Sequence, residues 1–202
     1  MSLDNTKLQL IGCGILKKEI NYLIEKNNWA IHTDFLPASL HINLKQLADA
    51  LQQGLARHQN EPTIVFYGAC HPRIDNMLND AHTLRTQGQN CVAMLLGLEE
   101  FNRELANGAF FLLDDWAQRW DEVIFKTFGK NIDLIRDIFH EQHRYFLALR
   151  TPFSSDFTQE ATHISEMLAL PVVWRDVNLD YLESVLQATI QSKLDGLSCP
   201  RT

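Results

Sequence analysis

Residues Thr63–Tyr67 read TIVFY and run straight into Gly68-Ala69-Cys70-His71-Pro72. An unbroken run of β-branched and aromatic residues closed by glycine is the pattern of a strand buried on both faces. Pro72 suits the first turn of a following helix, where its missing N–H would be unsatisfied in any case. Working upstream, Trp29–Phe35 reads as another strand, and Pro37 and Ser39 break it. A helix of about Leu44–Gln59 follows, carrying Leu44, Leu47, Ala48, Leu51 and Leu55 at helical spacing. Further upstream, Lys7–Gly14 (KLQLIGCG) is a third apolar run closed by glycine. Ile15–Asn28 then places Ile15, Leu16, Ile20, Leu23 and Ile24 on one stripe with charges opposite. Strand and helix in strict alternation imply a parallel sheet with right-handed crossovers.

Downstream of TIVFY, Cys91–Leu96 (CVAMLL) is short for a strand. It reads better as a helix capped by Asn90, interrupted at Gly97 and resumed over Glu99–Ala106. Ala109–Leu113 is a strand candidate, and Asp114 or Asp115 caps a helix running to about Phe128. Helix Ile132–His143, strand Arg144–Thr151, helix Phe157–Leu168, strand Pro171–Asp176 and helix Leu179–Leu194 complete the chain. No repeat, low-complexity tract or linker interrupts it. The expected architecture is a single α/β domain, a three-layer sandwich with a mostly parallel sheet, ordered over residues 6–195 with a frayed tail at 196–202.

The chain has 202 residues, 46% hydrophobic and 21% charged, enough to bury a sizeable core. Its net charge of −7, with basic residues scattered among acidic ones, argues against nucleic acid as a partner. No apolar run approaches a membrane span, and Met1–Lys7 lacks the pattern of a signal peptide. These features point to a cytoplasmic protein, compatible with a homo-oligomer. Four cysteines in a reducing compartment are not expected to form a disulfide framework.

Ligands of parallel sheets gather beyond the carboxyl ends of the strands. Cys13 closes the first strand, Cys70 and His71 follow TIVFY, and Cys91 opens a helix on the same expected edge. Three thiolates with a histidine or water suit tetrahedral zinc; three alone can hold an iron–sulfur cluster with an open corner. The competing explanation is that each cysteine is a small hydrophobe in the core, and no Cys-x-x-Cys spacing argues otherwise. Cys199, in the tail, is incidental on either view. His71 is the best fourth ligand or proton carrier. His41, in the loop after the second strand, and Glu19, on the first helix, are candidates for a supporting or substrate-binding role. His140 and His143 read as surface or capping residues, and Trp116 and Trp120 as packing. Dinucleotide, phosphate-loop, nucleophile-elbow and zincin motifs are absent.

The contexts Gly12-Cys13-Gly14 with Glu19, Phe35-Leu36-Pro37 with Leu40-His41, Tyr67-Gly68-Ala69-Cys70, Asn90-Cys91-Val92 with Leu95-Leu96-Gly97, and Gly108 with Phe111-Leu112 and Trp116 carry a resemblance. Together they resemble the domain-of-unknown-function family numbered sixteen thirty-eight, over about Lys7 to Trp174. Members of that family often occur beside corrinoid-dependent methyltransferases of methylamine metabolism. The resemblance therefore implies one-carbon chemistry and a small molecule or a corrinoid methyltransferase system as partner. Where the family has glycine after its second cysteine, this chain has His71. Where the family has His-Asp before the third, it has Gln89 and Asn90. The resemblance implies a shared site for Cys13, Cys70 and Cys91; either His71 substitutes for the family's histidine, or the chain is a divergent member with altered ligation. Two functions stay open: a metal–thiolate protein of one-carbon metabolism, or a non-catalytic accessory of a methyltransferase system whose cysteines only pack.

Overall fold

The computed structural model describes residues 7–198. In chain order, the first elements are β1 (Leu8–Cys13), α1 (Lys17–Lys26), β2 (Ile31–Leu36), α2 (Leu44–Arg57), β3 (Thr63–Phe66), α3 (Ile74–Asp80), β4 (Leu84–Arg85) and α4 (Cys91–Leu96). Then come α5 (Leu98–Ala106), β5 (Ala109–Leu112), α6 (Asp114–Gln118), α7 (Trp120–Phe128), α8 (Ile132–Gln142), β6 (Tyr145–Arg150), α9 (Thr158–Leu168), β7 (Val172–Asp176) and α10 (Asp180–Ser198). Single 3-10 turns, Gly14–Leu16 and Ala38–Ile42, follow β1 and β2. The chain is α/β with parallel sheets flanked by helices, as its strand–helix alternation implies. The strands are shared between two sheets, and the contacts divide into two compact units. One holds the residues up to Leu95 and those from Asp180; the other is Leu96–Leu179.

In the first unit the order is β2-β1-β3-β4, every pair parallel. The two central strands are buried along their whole length, which is why LQLIGC and TIVF read as continuous apolar runs rather than alternating ones. Leu10, Ile11, Ile64 and Val65 are fully buried. Helix α2 lies close on β1 because Gly54 faces Ile11, where an added Cβ would already touch Ile11 Cδ1 at 3.4 Å. Its N-terminus is capped by Asn43, whose side chain accepts the Gln46 N–H at 3.1 Å. The terminal helix α10 packs on β3 and β4.

In the second unit the order is β5-β6-β7, again all parallel. Its core is aromatic: Trp120 and Phe139 pack edge-on and tilted against Phe110 and Phe146, with ring centroids 5.2–6.1 Å apart. The helix expected over 114–128 is broken at Arg119, which leaves helical dihedrals (φ −111°, ψ 16°). The break separates α6 from α7 at the point where Trp120, 2% exposed, enters that core. A polar network ties α5 to the sheet. The Tyr145 hydroxyl donates to Glu104 at 2.6 Å, and Arg175 donates to Glu100 at 2.6 Å and Glu104 at 3.0 Å.

Two further differences from the sequence expectations concern the ends of elements. Helix α10 continues to Ser198, so 196–198 are helical; residues 199–202 lie outside the described residues. The two-residue strand β4 has too little sequence to show a period. Among the described residues no helix is long and apolar enough to cross a membrane.

Candidate functional site

The site lies at the carboxyl edge of the four-stranded sheet. Cys13 is the last residue of β1 and is buried. The register pairs Gly12 with Phe66 across β1 and β3, so the next residues in each chain, Cys13 and Tyr67, lie side by side. Successive residues of a strand alternate faces, so two residues in register project from the same face.

Cys70 and Cys91 are brought to this edge by a contact between two loops. The Ala69 N–H donates to the Gln89 carbonyl at 2.8 Å. At Gly68 the backbones meet so closely that a Cβ would lie 2.4 Å from the Gln89 oxygen and 2.5 Å from the Asn90 Cα. Only glycine fits there. Asn90 then starts α4, its side chain accepting the Ala93 N–H at 2.9 Å and its carbonyl the Met94 N–H at 3.0 Å. Cys91 is thus fixed as the first residue of that helix, as the sequence implied. Buried Thr86 holds the other side, with its N–H donating to Val65 O at 2.9 Å and its hydroxyl to Tyr67 O at 3.4 Å.

The electrostatics of these groups show that they share one environment. Burial pushes the Cys91 thiol far above the usual range; negative charge on Cys13 and Cys70 pushes it further, and the Val92 and Cys91 backbone pulls it back. Burial also raises Cys70, against the opposing effects of the Gly68 backbone and the Arg85 guanidinium. Arg85 is held in place by Asp75 at 2.7 Å and by the Thr86 and Gly88 carbonyls at 3.3 Å each. Tyr67 is 2% exposed, and its hydroxyl is buried without a hydrogen-bond partner of ordinary geometry. Burial, then charge on Cys13 and Cys70, a hydrogen bond toward Cys13 and charge on Cys91 push its ionisation well above the tyrosine range. Three thiols and a phenol therefore sense one another.

The gathering stops short of a coordination sphere. Among the described residues no group of three or more His, Cys, Asp or Glu is arranged so that it could hold a metal ion. His71 uses Nδ1 to accept the Arg73 N–H at 3.0 Å, bracing the turn into α3 and leaving Nε2 as its other ring nitrogen. Glu19, in the first turn of α1, is buried at 4% exposure rather than solvated. His41 falls in the 3-10 turn after β2, and its side chain lies outside the described part of the structure, as does Cys199. His140, on α8, meets the end of α9, its Nε2 lying 2.7 Å from Leu168 O. His58 and His163 have acidic neighbours, Asp34 at 3.6 Å and Asp121 at 3.7 Å, that sequence did not reveal. Tyr67 and Arg85 are the residues missed. Tyr67 carried a signal, as the polar-tipped end of an apolar strand; Arg85 carried none.

The sequence profile of DUF1638, described as a protein of unknown function, matches residues 35–186. The chain belongs to the DUF1638 family. The DUF1638 match includes His41, Tyr67, Cys70, His71 and Cys91. It begins after Cys13 and Glu19 and extends past Trp174 into α10, so it covers less of the N-terminus and more of the C-terminus than the resemblance suggested. No curated protein and no solved structure matches the chain.

Proposed function

We propose that the DUF1638 chain is a metal–thiolate protein in which Cys13, Cys70 and Cys91 hold one thiophilic centre, zinc or an iron–sulfur cluster. His71 Nε2 or a solvent molecule completes the set, and His41 and Glu19 support the site or its substrate. One observation carries this: each of the three thiols lies beside a different group that favours its anion. Cys13 has the Tyr67 hydroxyl, Cys70 has the Gly68 backbone and Arg85, and Cys91 has its own and the Val92 backbone.

Three thiolates confined together repel one another, and a cation would compensate their charge. Binding would release the thiol protons, as thiolate ligation does generally. The donor set fits a soft metal in kind and number. The spacing is not preformed, and closing it requires a local adjustment of the loops carrying Cys70 and Cys91. When bound, such a metal keeps a thiol or a water deprotonated at neutral pH and so supplies a nucleophile. Around it, Arg85 would hold negative charge at Cys70, and the apolar floor of β1 and β3 would exclude water. A nucleophilic sulfur site of this kind suits transfer of a small group in one-carbon, corrinoid-linked methyl metabolism, with a small molecule or a methyltransferase system as partner.

Protein purified without oxygen should contain close to one metal site per chain by elemental mass analysis. Visible absorption would mark iron–sulfur, and its absence with zinc present would mark zinc. Cys70→Ser should lose the metal. Metal-free protein of undiminished stability, with Cys70→Ser indistinguishable from it, sinks the proposal. The absence of a preformed three-ligand group among the described residues favours a second reading, an accessory binding protein of a methyltransferase system with structural cysteines. On that reading, Cys13→Ala and Cys91→Ala change stability modestly and nothing else.

A further inference from the structure

We propose that a cavity at the amino edge of the four-stranded sheet binds a small organic cation, a primary ammonium on a short aliphatic chain, with Glu61 and Asp80 as its counter-charges. This is the opposite edge of the sheet from the thiols, and the proposal stands independently of the metal–thiolate reading. The cavity measures about 650 Å³ and lies wholly within the first compact unit. Small-molecule sites commonly span roughly 300–1,000 Å³. Its walls come from the ends of α2 and α3, the residues leading into β3 and β4, and Lys193 on α10.

Three observations set the sign of the ligand's charge. In a parallel sheet the crossover helices run against the strands, so their carbonyl ends, which carry partial negative charge, gather at the amino edge. Here α2 ends at Arg57 and α3 at Asp80; Arg57 is turned to Asp34, and the last turn of α3 has no basic residue. Second, Glu61 and Asp80 line the cavity against a single Lys or Arg among the described residues, Lys193. His58 Nδ1 lies 3.4 Å from Glu61 Oε1 without forming a hydrogen bond, so it does not consume that carboxylate. Third, a cation already sits at the end of α3: the Lys193 ammonium, 111 residues away in the chain, donates to the His82 carbonyl at 3.2 Å. An ammonium ligand brings three donors to such carboxylates and carbonyls. Leu55 and Met77, both buried, give its aliphatic chain an apolar floor.

Titration of the isotope-labelled full chain with n-butylammonium, followed by amide NMR, tests this. Saturable shifts should appear between Gln59 and Thr63 and between Asp80 and Thr83. Neither n-butanol, of similar shape without the charge, nor butyrate, of opposite charge, should produce them. Glu61→Gln combined with Asp80→Asn should weaken binding about tenfold or more, the equivalent of one charge-assisted hydrogen bond. Both side chains are exposed, so the rest of the spectrum should stay that of the parent. Lys193→Met, which frees the His82 carbonyl and removes a like charge, should strengthen binding. Cys70→Ser should leave it unchanged, because the thiol edge is not involved. Saturation elsewhere or nowhere overturns the proposal, as does equal binding of n-butanol. So does parental affinity in the double variant, or affinity in Lys193→Met that is no higher than the parent's. None of these results bears on whether the thiols hold a metal.

Discussion

At Gly68, one added carbon separates a working edge from a broken one. Its backbone lies so near Gln89 and Asn90 that alanine would place Cβ within 2.4 Å of a carbonyl oxygen. The obstruction is backbone, which cannot rotate away, so the loop before α4 must move. Gly68→Ala should destabilise the protein by about 1–3 kcal/mol in denaturant titration, as overpacking does. It should also weaken zinc binding, because the displaced loop carries Cys91. Unchanged affinity in a destabilised variant would show that the loop contact does not position Cys91. The cysteines were legible in the sequence because Cys13 ends a strand, Cys91 opens a helix and Cys70 follows closely on a strand end, and those boundaries are local signals. Tyr67 and Arg85 were not. Their significance comes from neighbours supplied by other segments: β1 for Tyr67, and the loop after β3 for Arg85.

Helix α5 is sensitive to acid through Glu104. Burial works to raise its pKa, but hydrogen bonds from Tyr145 and Arg175 outweigh that and hold the carboxyl below the ordinary range. The same contact, after burial, pushes Tyr145 up to about 12. A depressed carboxylate pKa means that the unfolded chain binds the extra proton. The stability is therefore present above the unfolded value and lost as pH falls through the folded one. Glu104→Gln should be less stable at neutral pH by about 1.5–3 kcal/mol, the range for hydrogen bonds to charged groups. The gap should close below about pH 4, near the reference carboxylate range. Urea titrations across that range decide it; a gap independent of pH would mean that charge is not the cause. Most element types were legible because apolar period and caps are written locally, as with Asn90 before α4. The break at Arg119 was not, because tertiary burial of Trp120 overrides a continuous helical pattern.

At the scale of the whole molecule, parallel pairing followed from strand–helix alternation, but the division of the seven strands among the described residues into sheets of four and three did not. Strand pairing is non-local, and no composition change marks Leu96 or Leu179, where the compact units meet in sequence. All three thiols belong to one unit, on positions 13, 70 and 91 drawn from β1, the loop after β3 and the start of α4. Convergence of such distant segments on one metal is the central claim, and it has a direct test. X-ray absorption at the zinc edge of zinc-loaded protein should show three sulfur neighbours at about 2.3 Å. The sulfur count should fall by one in each of Cys13→Ser, Cys70→Ser and Cys91→Ser. A shell of nitrogen and oxygen alone, or a sulfur count that these substitutions leave unchanged, would contradict the account.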